Sequence, residues 1–210
     1  MPSRIDRRGT FAGHDVHLAT PRLKLRPFEE ADLDTALVFY QDGEFLEGME
    51  GEPPSLPVTR DYLERSARAM TANGFYFAIV QRTTGRTIGE VCLQRMNLER
   101  GKVPGEKVMR LPIGIWDKTL WGRGYAKEVV QRLMVHAFED LGVDRFCAMD
   151  VDATNPRSQR LWQRCGLRRA RVTGRKIDFE IDRSDYAALT GCSKQSSRPS
   201  GSRTDSCRMP

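Results

Sequence analysis

Hydrophobic residues recur along the chain with two periods, and the period predicts the type of each element. Leu23 and Leu25 alternate with polar residues, whereas Leu33, Ala36 and Tyr40 recur at the spacing of one helix face. Strands are predicted at residues 17–26, 75–81, 87–96, 108–116, 144–151 and 175–181, helices at residues 29–40, 59–70, 126–141, 155–165 and 182–189, and loops at residues 41–58 and 97–107. The interleaved order predicts an α/β fold, a mixed central sheet with helices on both faces.

One domain is expected to account for most of the chain, because 210 residues suffice for a single sizeable core. It is predicted over residues 17–189, between a flexible N-terminal segment at residues 1–16 and a tail at residues 190–210. The tail is rich in Ser, Gly and Arg, a composition typical of disorder.

Several classes of site are not expected from the composition. No apolar run is long enough to cross a bilayer, and the first eight residues lack the apolar core of a signal peptide, so we expect a cytoplasmic protein with no membrane partner. The five cysteines include no Cys-x-x-Cys pair, and the three histidines are not spaced as ligands. This predicts free thiols and no metal site.

The net charge of +6 would be compatible with nucleic-acid binding, but it is unevenly distributed. The tail holds four basic residues against one acid, which is half of the net charge. The rest of the chain has the balance of an ordinary globular protein. We therefore expect no DNA partner, while a weak contact with RNA through the tail stays open.

A glycine pair marks the first candidate site, in the segment Trp121-Gly122-Arg123-Gly124-Tyr125-Ala126 between a predicted strand and a predicted helix. Such a junction leaves backbone N–H groups unpaired at the positive end of the helix dipole, which favours a phosphate or pyrophosphate. A P-loop would need Lys followed by Ser or Thr, and a dinucleotide fingerprint would need a third glycine. Lys127-Glu128 supplies neither, and a tight turn without a ligand stays an alternative.

A second motif, Asn155-Pro156-Arg157-Ser158, opens a short predicted helix that ends at Gly166. Asn favours the N-cap, Pro the first helical position and Gly the position after the helix. Together with residues 119–124, this motif resembles the GNAT superfamily of acetyl-CoA-dependent N-acetyltransferases. The first family motif is Gln/Arg-x-x-Gly-x-Gly/Ala, and the second combines Asn, a Ser three residues later and Gly-Phe.

The segments at residues 18–32 and 115–118 are similar to the ribosomal-protein-alanine acetyltransferase branch, and the resemblance spans about residues 17–186. Three residues depart from the family pattern. Thr119 replaces Gln or Arg, and Leu167 replaces Phe. Trp162 stands where many members have a tyrosine that protonates the leaving thiolate, and an indole cannot act as that acid near neutral pH. The branch often lacks this tyrosine and has a serine where Ser158 is.

The resemblance implies a GNAT-like mixed sheet in which the strands at residues 108–116 and 144–151 run parallel but splay apart, with the pantetheine arm of acetyl-CoA in the gap. The backbone of Gly122, Arg123, Gly124, Tyr125 and Ala126 would bind the pyrophosphate, and Ile115 and Trp121 would complete the coenzyme site. Asn155 would hydrogen-bond pantetheine, and the Ser158 hydroxyl would donate to the thiolate sulfur.

Acetyl transfer also requires removal of a proton from the amine, whose pKa is about 10 for a lysine-like group and about 8 for an N-terminus. Glu90, in a central strand, is the first candidate base, because the family often places acids there beside the acceptor. Asp117 is the second. The structural alternatives are a solvent-facing Glu90 and an Asp117 that caps a loop. The five acids of residues 41–58 would either attract a cationic acceptor or be solvated.

The expected function is therefore N-acetylation of a primary amine, either a protein N-terminus or a small amine such as an aminoglycoside, by a monomer or homodimer. One alternative is a non-catalytic module that binds RNA or a ribosome through its basic termini. Another is a coenzyme-sensing relative without an acid–base pair.

Overall fold

Residues 11, 13–48, 54–95 and 104–195 are described by a computed structural model, with the side chains of residues 192–195 excluded. The strands are β1 (Leu18–Ala19), β2 (Leu23–Pro27), β3 (Gly74–Gln81), β4 (Thr87–Gln94), β5 (Val108–Arg110), β6 (Ile113–Ile115), β7 (Arg145–Asp152), β8 (Arg168–Thr173) and β9 (Lys176–Asp182). The helices are α1 (Glu30–Phe39), α2 (Gly43–Glu47), α3 (Arg60–Asn73), α4 (Tyr125–Val135), α5 (Pro156–Arg164) and α6 (Arg183–Gln195).

The strands form one mixed sheet in the order β1-β2-β3-β4-β5-β7-β9-β8, with β6 also paired to β4. Strand β3 shows why helices cover both faces, since its side chains alternate between two cores. Phe77 and Ile79 pack with α4 and α5, whereas Tyr76 and Ala78 pack with α1 and α3. The predicted fold class is confirmed.

The predicted strand at residues 108–116 is wrong as a single element, because it is broken at Pro112. The first piece, β5, pairs in parallel with β7, whereas β6 pairs only with β4 among the described strands. On the other side of the gap β7 carries a bulge, where Asp150 has a φ of +58°. Since β6 and β7 do not pair, a gap opens between them, and this is the splay that the resemblance implies.

The predicted strand at residues 17–26 is also two strands, because Pro21 lies in its middle and cannot donate to a ladder. Strands β1 and β2 form a tight antiparallel hairpin. Thr20 closes the turn, since its N–H donates to the Leu23 carbonyl at 2.9 Å and its Oγ1 accepts from the Leu23 N–H at 3.0 Å.

Three further elements differ from the prediction. The loop at residues 41–58 contains α2, whose N-cap Asp42 accepts from the Glu44 N–H at 3.0 Å. Strand β8 was not predicted, because all six of its side chains are exposed and it has no apolar alternation. Helix α6 continues to Gln195, past the predicted end at residue 189 and into the predicted tail.

The predicted terminal segments lie largely outside the described residues, which leave out residues 1–10, 12 and 196–210. Within the N-terminal segment, the Phe11 side chain is only 3% exposed and packs near Phe28, with 6.3 Å between ring centroids. The His14 ring packs against Phe77 at 4.5 Å. These contacts attach residues just before β1 to the domain.

Candidate functional site

A cleft of about 480 Å³ lies beside the gap between β6 and β7. Its walls are β6, the turn before α4, one face of α5 and the end of α2. Of the predicted site residues, Ile115, Trp121, Gly122, Gly124, Tyr125, Ala126, Asn155 and Ser158 line this cleft. Arg123, Glu90 and Asp117 do not.

The turn before α4 presents unpaired donors to the cleft. Gly122 and Gly124 have φ values of +75° and +81°, and Gly124 is the N-cap of α4. The first helical hydrogen bond runs from the Glu128 N–H to the Gly124 carbonyl at 3.1 Å. No N–H group of residues 122–127 donates to another described residue. The result is a concave set of backbone donors that fits a pyrophosphate.

Arg22, in the β1–β2 turn, holds this donor turn from outside the cleft. Its Nε donates to Glu128 Oε2 at 2.6 Å, and its Nη1 donates to the Arg123 carbonyl at 2.9 Å. Its guanidinium carbon lies 4.4 Å from the centroid of the Tyr125 ring. Burial alone would raise the pKa of Glu128, but hydrogen bonds from Thr20 and Arg22 hold it below its usual value. Arg22 thus connects both ends of the turn to the sheet.

Replacing Arg22 with Ala is expected to weaken coenzyme binding without abolishing catalysis. The turn would keep its glycines but lose its outer support, so we expect KM for acetyl-CoA to rise about fivefold to tenfold with kcat changed less than twofold. The control is Arg82→Ala, since Arg82 Nη1 holds the same hairpin through the Thr20 carbonyl at 3.0 Å and the Pro21 carbonyl at 3.2 Å. Steady-state kinetics compare the two; an equal rise in KM would contradict the assignment.

Strand β6 offers a row of free amides to the same cleft. The Cys92 N–H donates to the Pro112 carbonyl at 3.1 Å, and the Trp116 N–H donates to the Ile88 carbonyl at 2.9 Å. Since partners alternate along an antiparallel pair, the amides of Ile113 and Ile115 face away from β4, into the gap. The Ile115 carbonyl accepts from Trp121 Nε1 at 2.7 Å, which fixes the Trp121 ring at the cleft wall.

Helix α5 places two predicted residues on the opposite wall. Asn155 Oδ1 accepts from the Ser158 N–H at 3.0 Å, so Asn155 is the N-cap of α5. The Ser158 hydroxyl oxygen accepts from Trp162 Nε1 at 3.1 Å. Trp162 is only 1% exposed and belongs to the core. Because the indole N–H occupies one lone pair of the hydroxyl oxygen, the Ser158 O–H is available as a donor toward the cleft.

Glu90 lies behind the cleft, in a cluster of aromatic side chains on the α1 side of the sheet. Tyr40 Oη donates to Glu90 Oε1, and Tyr76 Oη donates to Oε2 at 2.7 Å. Burial raises the pKa of Glu90, and the hydrogen bonds from the two tyrosines lower it only in part. The Tyr40 ring packs edge-on against Phe45, which lines the cleft, at 5.3 Å between centroids.

Asp117 caps the short 3₁₀ turn that precedes the donor turn. Its Oδ1 accepts from the Thr119 hydroxyl at 2.6 Å and from the Thr119 N–H at 2.9 Å. These hydrogen bonds, with the hydroxyl contributing most, lower the pKa of Asp117. A carboxylate with a lowered pKa is a weaker base, and this geometry suits a cap.

The acids of the predicted loop are already partly neutralised. Lys118 Nζ lies 2.7 Å from Asp42 Oδ2 and 2.8 Å from Glu44 Oε2. Two of the five acids are thus paired, and Glu50 and Glu52 lie outside the described residues. This pairing weakens the case for a cationic acceptor drawn in by this loop.

The cleft-lining residues that the sequence reasoning missed include Phe45, Lys127 and the arginines of α5. Phe45 was assigned to a loop and gave no signal. The arginines gave one, because residues 157–176 hold eight basic residues and no acid. Among the described residues no group of three or more His, Cys, Asp or Glu side chains is arranged to hold a metal. In the same part of the chain, none of the helices combines the length and apolarity that a membrane span requires.

Comparisons with known proteins agree on one family. A model described as an acetyltransferase (GNAT) domain matches residues 22–168. The uncharacterized N-acetyltransferase p20 of Bacillus licheniformis is 28% identical over 183 residues, which cover 81% of this chain and 98% of that protein.

Two solved structures from Vibrio cholerae share the fold. One, provisionally assigned as a ribosomal-protein-serine acetyltransferase, has a TM-score of 0.62 at 22% identity and covers 80% of this chain and 98% of its own. The other is a spermidine N-acetyltransferase in complex with CoA and spermine, with a TM-score of 0.63 at 20% identity, covering 80% and 99%.

Proposed function

We propose that this chain, which belongs to the GNAT family of acetyltransferases, binds acetyl-CoA in the cleft between β6 and α5 and transfers its acetyl group to a primary amine. The observation that carries the proposal is the set of unpaired N–H groups at residues 122–127, adjacent to the free amides of Ile113 and Ile115. In acetyl-CoA a pyrophosphate is followed by the pantetheine arm, which contains amides. The N–H groups of residues 122–127 suit the pyrophosphate, and the amides of β6 suit the arm.

The chain's own residues have distinct roles in this proposal. The backbone of the turn from Gly122 to Ala126 binds the pyrophosphate, and Asn155 Nδ2 donates to the pantetheine arm, since Asn155 Oδ1 is used by the cap. Ile115 and Trp121 form the adjoining wall. Acetyl-CoA supplies a thioester, and its leaving group is a thiolate with a pKa of roughly 8.5.

Ser158 stabilises that thiolate by a hydrogen bond, since a hydroxyl is too weak an acid to give up its proton completely. Trp162 positions Ser158 and does not act as the acid. Trp162 stands where many family members have a tyrosine. It affects the leaving thiolate only through Ser158, which lies one helical turn away.

Replacing Ser158 with Ala is expected to lower kcat about 10- to 100-fold, which corresponds to the loss of one hydrogen bond to a charged group. Trp162→Phe keeps an aromatic ring in the core but removes the indole N–H, so a smaller loss of kcat, about threefold to tenfold, is expected. Because Trp162 acts through Ser158, the double variant should be no slower than Ser158→Ala alone. Additive losses in single-turnover measurements would contradict this pairing.

Glu90 is the proposed base, acting through a relay. Since Glu90 does not line the cleft, the proton must cross an intermediate group. The Tyr40 hydroxyl already donates to Glu90, and the Tyr40 ring packs against Phe45 of the cleft wall. Tyr40 does not line the cleft either, so a proton leaves the amine for the Tyr40 oxygen through water, as the Tyr40 proton moves to Glu90 Oε1. Asp117 is assigned to the structural cap.

The acceptor is a primary amine, presented by a peptide N-terminus or by a small molecule. Cys92, Cys147 and Cys165, the cysteines whose side chains are described, are free and buried. Free thiols are typical of proteins in a reducing compartment, which supports the cytoplasmic location that we propose. The RNA-binding alternative depends on the basic termini, residues 1–16 and 190–210, most of which lie outside the described residues.

Calorimetry with CoA and acetyl-CoA tests the proposed function first. Saturable binding should also stabilise the fold, by about 2.7 kcal/mol when the ligand is at 100 times its Kd. Thiol release is then measured with peptides that carry free N-termini, with polyamines and with aminoglycosides. Folded protein that binds neither coenzyme form would overturn the proposal, and the amine with the highest kcat/KM identifies the acceptor class.

A further inference from the structure

The bulge in β7 has an unusual backbone conformation. The ladder between β7 and β9 shifts register between Ala148 and Val151, so that residues 149–150 together lie opposite Asp178. Asp150 has a φ of +58° and is the only described residue other than glycine whose φ is positive. Left-handed backbone is strained for a residue that has a Cβ, although Asp tolerates it better than most. The surroundings must therefore hold Asp150 in this conformation.

The side chain of Asp178 holds the bulge from the neighbouring strand. Its Oδ1 accepts a hydrogen bond from the Asp150 N–H at 2.9 Å. A bulge takes its extra residue out of the ladder, so the N–H of that residue has no strand carbonyl to which it can donate. An N–H group that loses its acceptor in a half-buried position destabilises the conformation that places it there. The Asp178 carboxylate thus supplies the acceptor that the ladder does not.

The bulge lies between the gap and α5. Strand β7 faces β6 across the gap, and α5, which carries Ser158, begins only six residues after Asp150. The connection is short and tied to the sheet, since the Ala153 N–H donates to the Arg175 carbonyl at 2.7 Å. A change in the backbone of the bulge is therefore passed on to the start of α5.

We propose that Asp178 is a positioning residue for acetyl transfer, because it holds the left-handed bulge of β7 and the bulge sets the place of Ser158 beside the thioester. This inference rests on the proposed function, since the place of Ser158 matters only if its hydroxyl acts on the leaving thiolate. Asp178 does not line the cleft, so its effect passes through the backbone. What the bulge requires is an acceptor oxygen, and an amide oxygen meets that requirement as well as a carboxylate does.

Replacing Asp178 with Ala tests this inference on the full chain. The Asp150 N–H would lose its acceptor and the strained bulge would relax, so kcat should fall about tenfold. KM for acetyl-CoA should change less than about threefold, because the donor turn is not part of β7. Asp178→Asn keeps an acceptor oxygen and should stay within about twofold of the wild-type kcat. Amide hydrogen exchange at Asp150 should become faster in the Ala variant and not in the Asn variant.

Asp150→Gly provides a rescue, because glycine adopts a positive φ without strain. Added to Asp178→Ala, it should restore kcat to within about threefold of the wild type, since the ladder on both sides still favours the bulge. This comparison also decides the matter if Asp178→Ala alone does not fold. Because Asp178 acts through Ser158, the pair Asp178→Ala/Ser158→Ala should be no slower than Ser158→Ala alone.

The matched control is Glu180→Ala. Glu180 lies two residues further along β9, on the same face as Asp178, but opposite Cys147 in a regular part of the ladder. Its Oε2 accepts from Arg145 Nη1 at 3.1 Å, so the variant should lose some stability in thermal melts and keep kcat within about twofold.

Two results would overturn the inference: an equal loss of kcat in Asp178→Ala and Glu180→Ala, or a loss in Asp178→Ala that Asp150→Gly does not restore. Wild-type protein that releases no thiol with any amine would instead remove the proposed function. The exchange rate of the Asp150 amide distinguishes the two failures, because it shows whether Asp178 holds the bulge without any measurement of activity.

Discussion

Replacing Gly122 with Asp should abolish acetyl-CoA binding while leaving a folded protein. Gly122 has a φ of +75°, and no atom of the described residues lies within 4 Å of a Cβ built on it, so these residues leave room for the side chain. The new carboxylate would accept from the same N–H groups that are proposed to hold the pyrophosphate and would repel that anion. We expect Kd for acetyl-CoA to rise by at least about 100-fold, or about 2.7 kcal/mol.

The matched control is Gly85→Asp. Gly85 has a φ of +69° in the turn between β3 and β4. No atom in the described part of the chain lies within 4 Å of a Cβ built on it, and it does not line the cleft. Both variants therefore carry a similar backbone strain, about 1 kcal/mol. Thermal melts should show a similar small loss of stability, and calorimetry should show lost binding for Gly122→Asp only. Wild-type affinity in that variant would remove the donor turn from the coenzyme site.

The parts of the site that sequence reasoning predicted are those whose signals are local. A glycine pair before a helix and an Asn-Pro helix start each specify a backbone shape within a few residues, and both shapes are present at Gly122, Gly124 and Asn155. Local signals also existed for two elements that were predicted wrongly. Pro112 interrupts one predicted strand, and Pro21 interrupts the other.

The remaining parts depend on contacts between distant positions. Arg22 and Glu128 are 106 residues apart, and Tyr40 and Glu90 are 50 residues apart. Only the folded sheet brings each pair together, so no spacing rule predicts them. The edge strand β8 escaped prediction for a different reason: it buries no side chain on either face, and hydrophobic periodicity detects only strands that do.

Replacing Glu90 with Gln should remove the base and lower kcat about 100-fold, within the range expected for general base catalysis. The pH dependence distinguishes this from a structural defect. Because burial raises the pKa of Glu90, the active carboxylate form is lost as pH falls through a value above the usual 4.3 or so of glutamic acid. Wild-type kcat should rise as pH increases through that raised pKa, and the Glu90→Gln variant should lack this rise in kcat.

Stability should respond in the opposite sense. The folded protein binds the Glu90 proton more tightly than the unfolded chain, so the contribution of Glu90 to the free energy of unfolding falls as pH rises from the unfolded pKa through the folded one. Glu90→Gln removes this dependence. Relative to wild type, the variant should therefore gain stability as pH rises through that window, as measured by urea titrations at several pH values.

The two tyrosines provide matched controls for the relay. Tyr40→Phe removes the hydroxyl through which the proton is proposed to pass, so it should lower kcat about as much as Glu90→Gln. Tyr76→Phe removes the other donor to the same carboxylate, and the Tyr76 ring stacks on Phe28 at 4.4 Å between centroids. Losing that donor raises the pKa of Glu90 further. The rise of kcat with pH should therefore shift to higher pH, while the maximal kcat is retained. Equal effects of the two tyrosine variants, or an unchanged profile in Glu90→Gln, would place the base elsewhere.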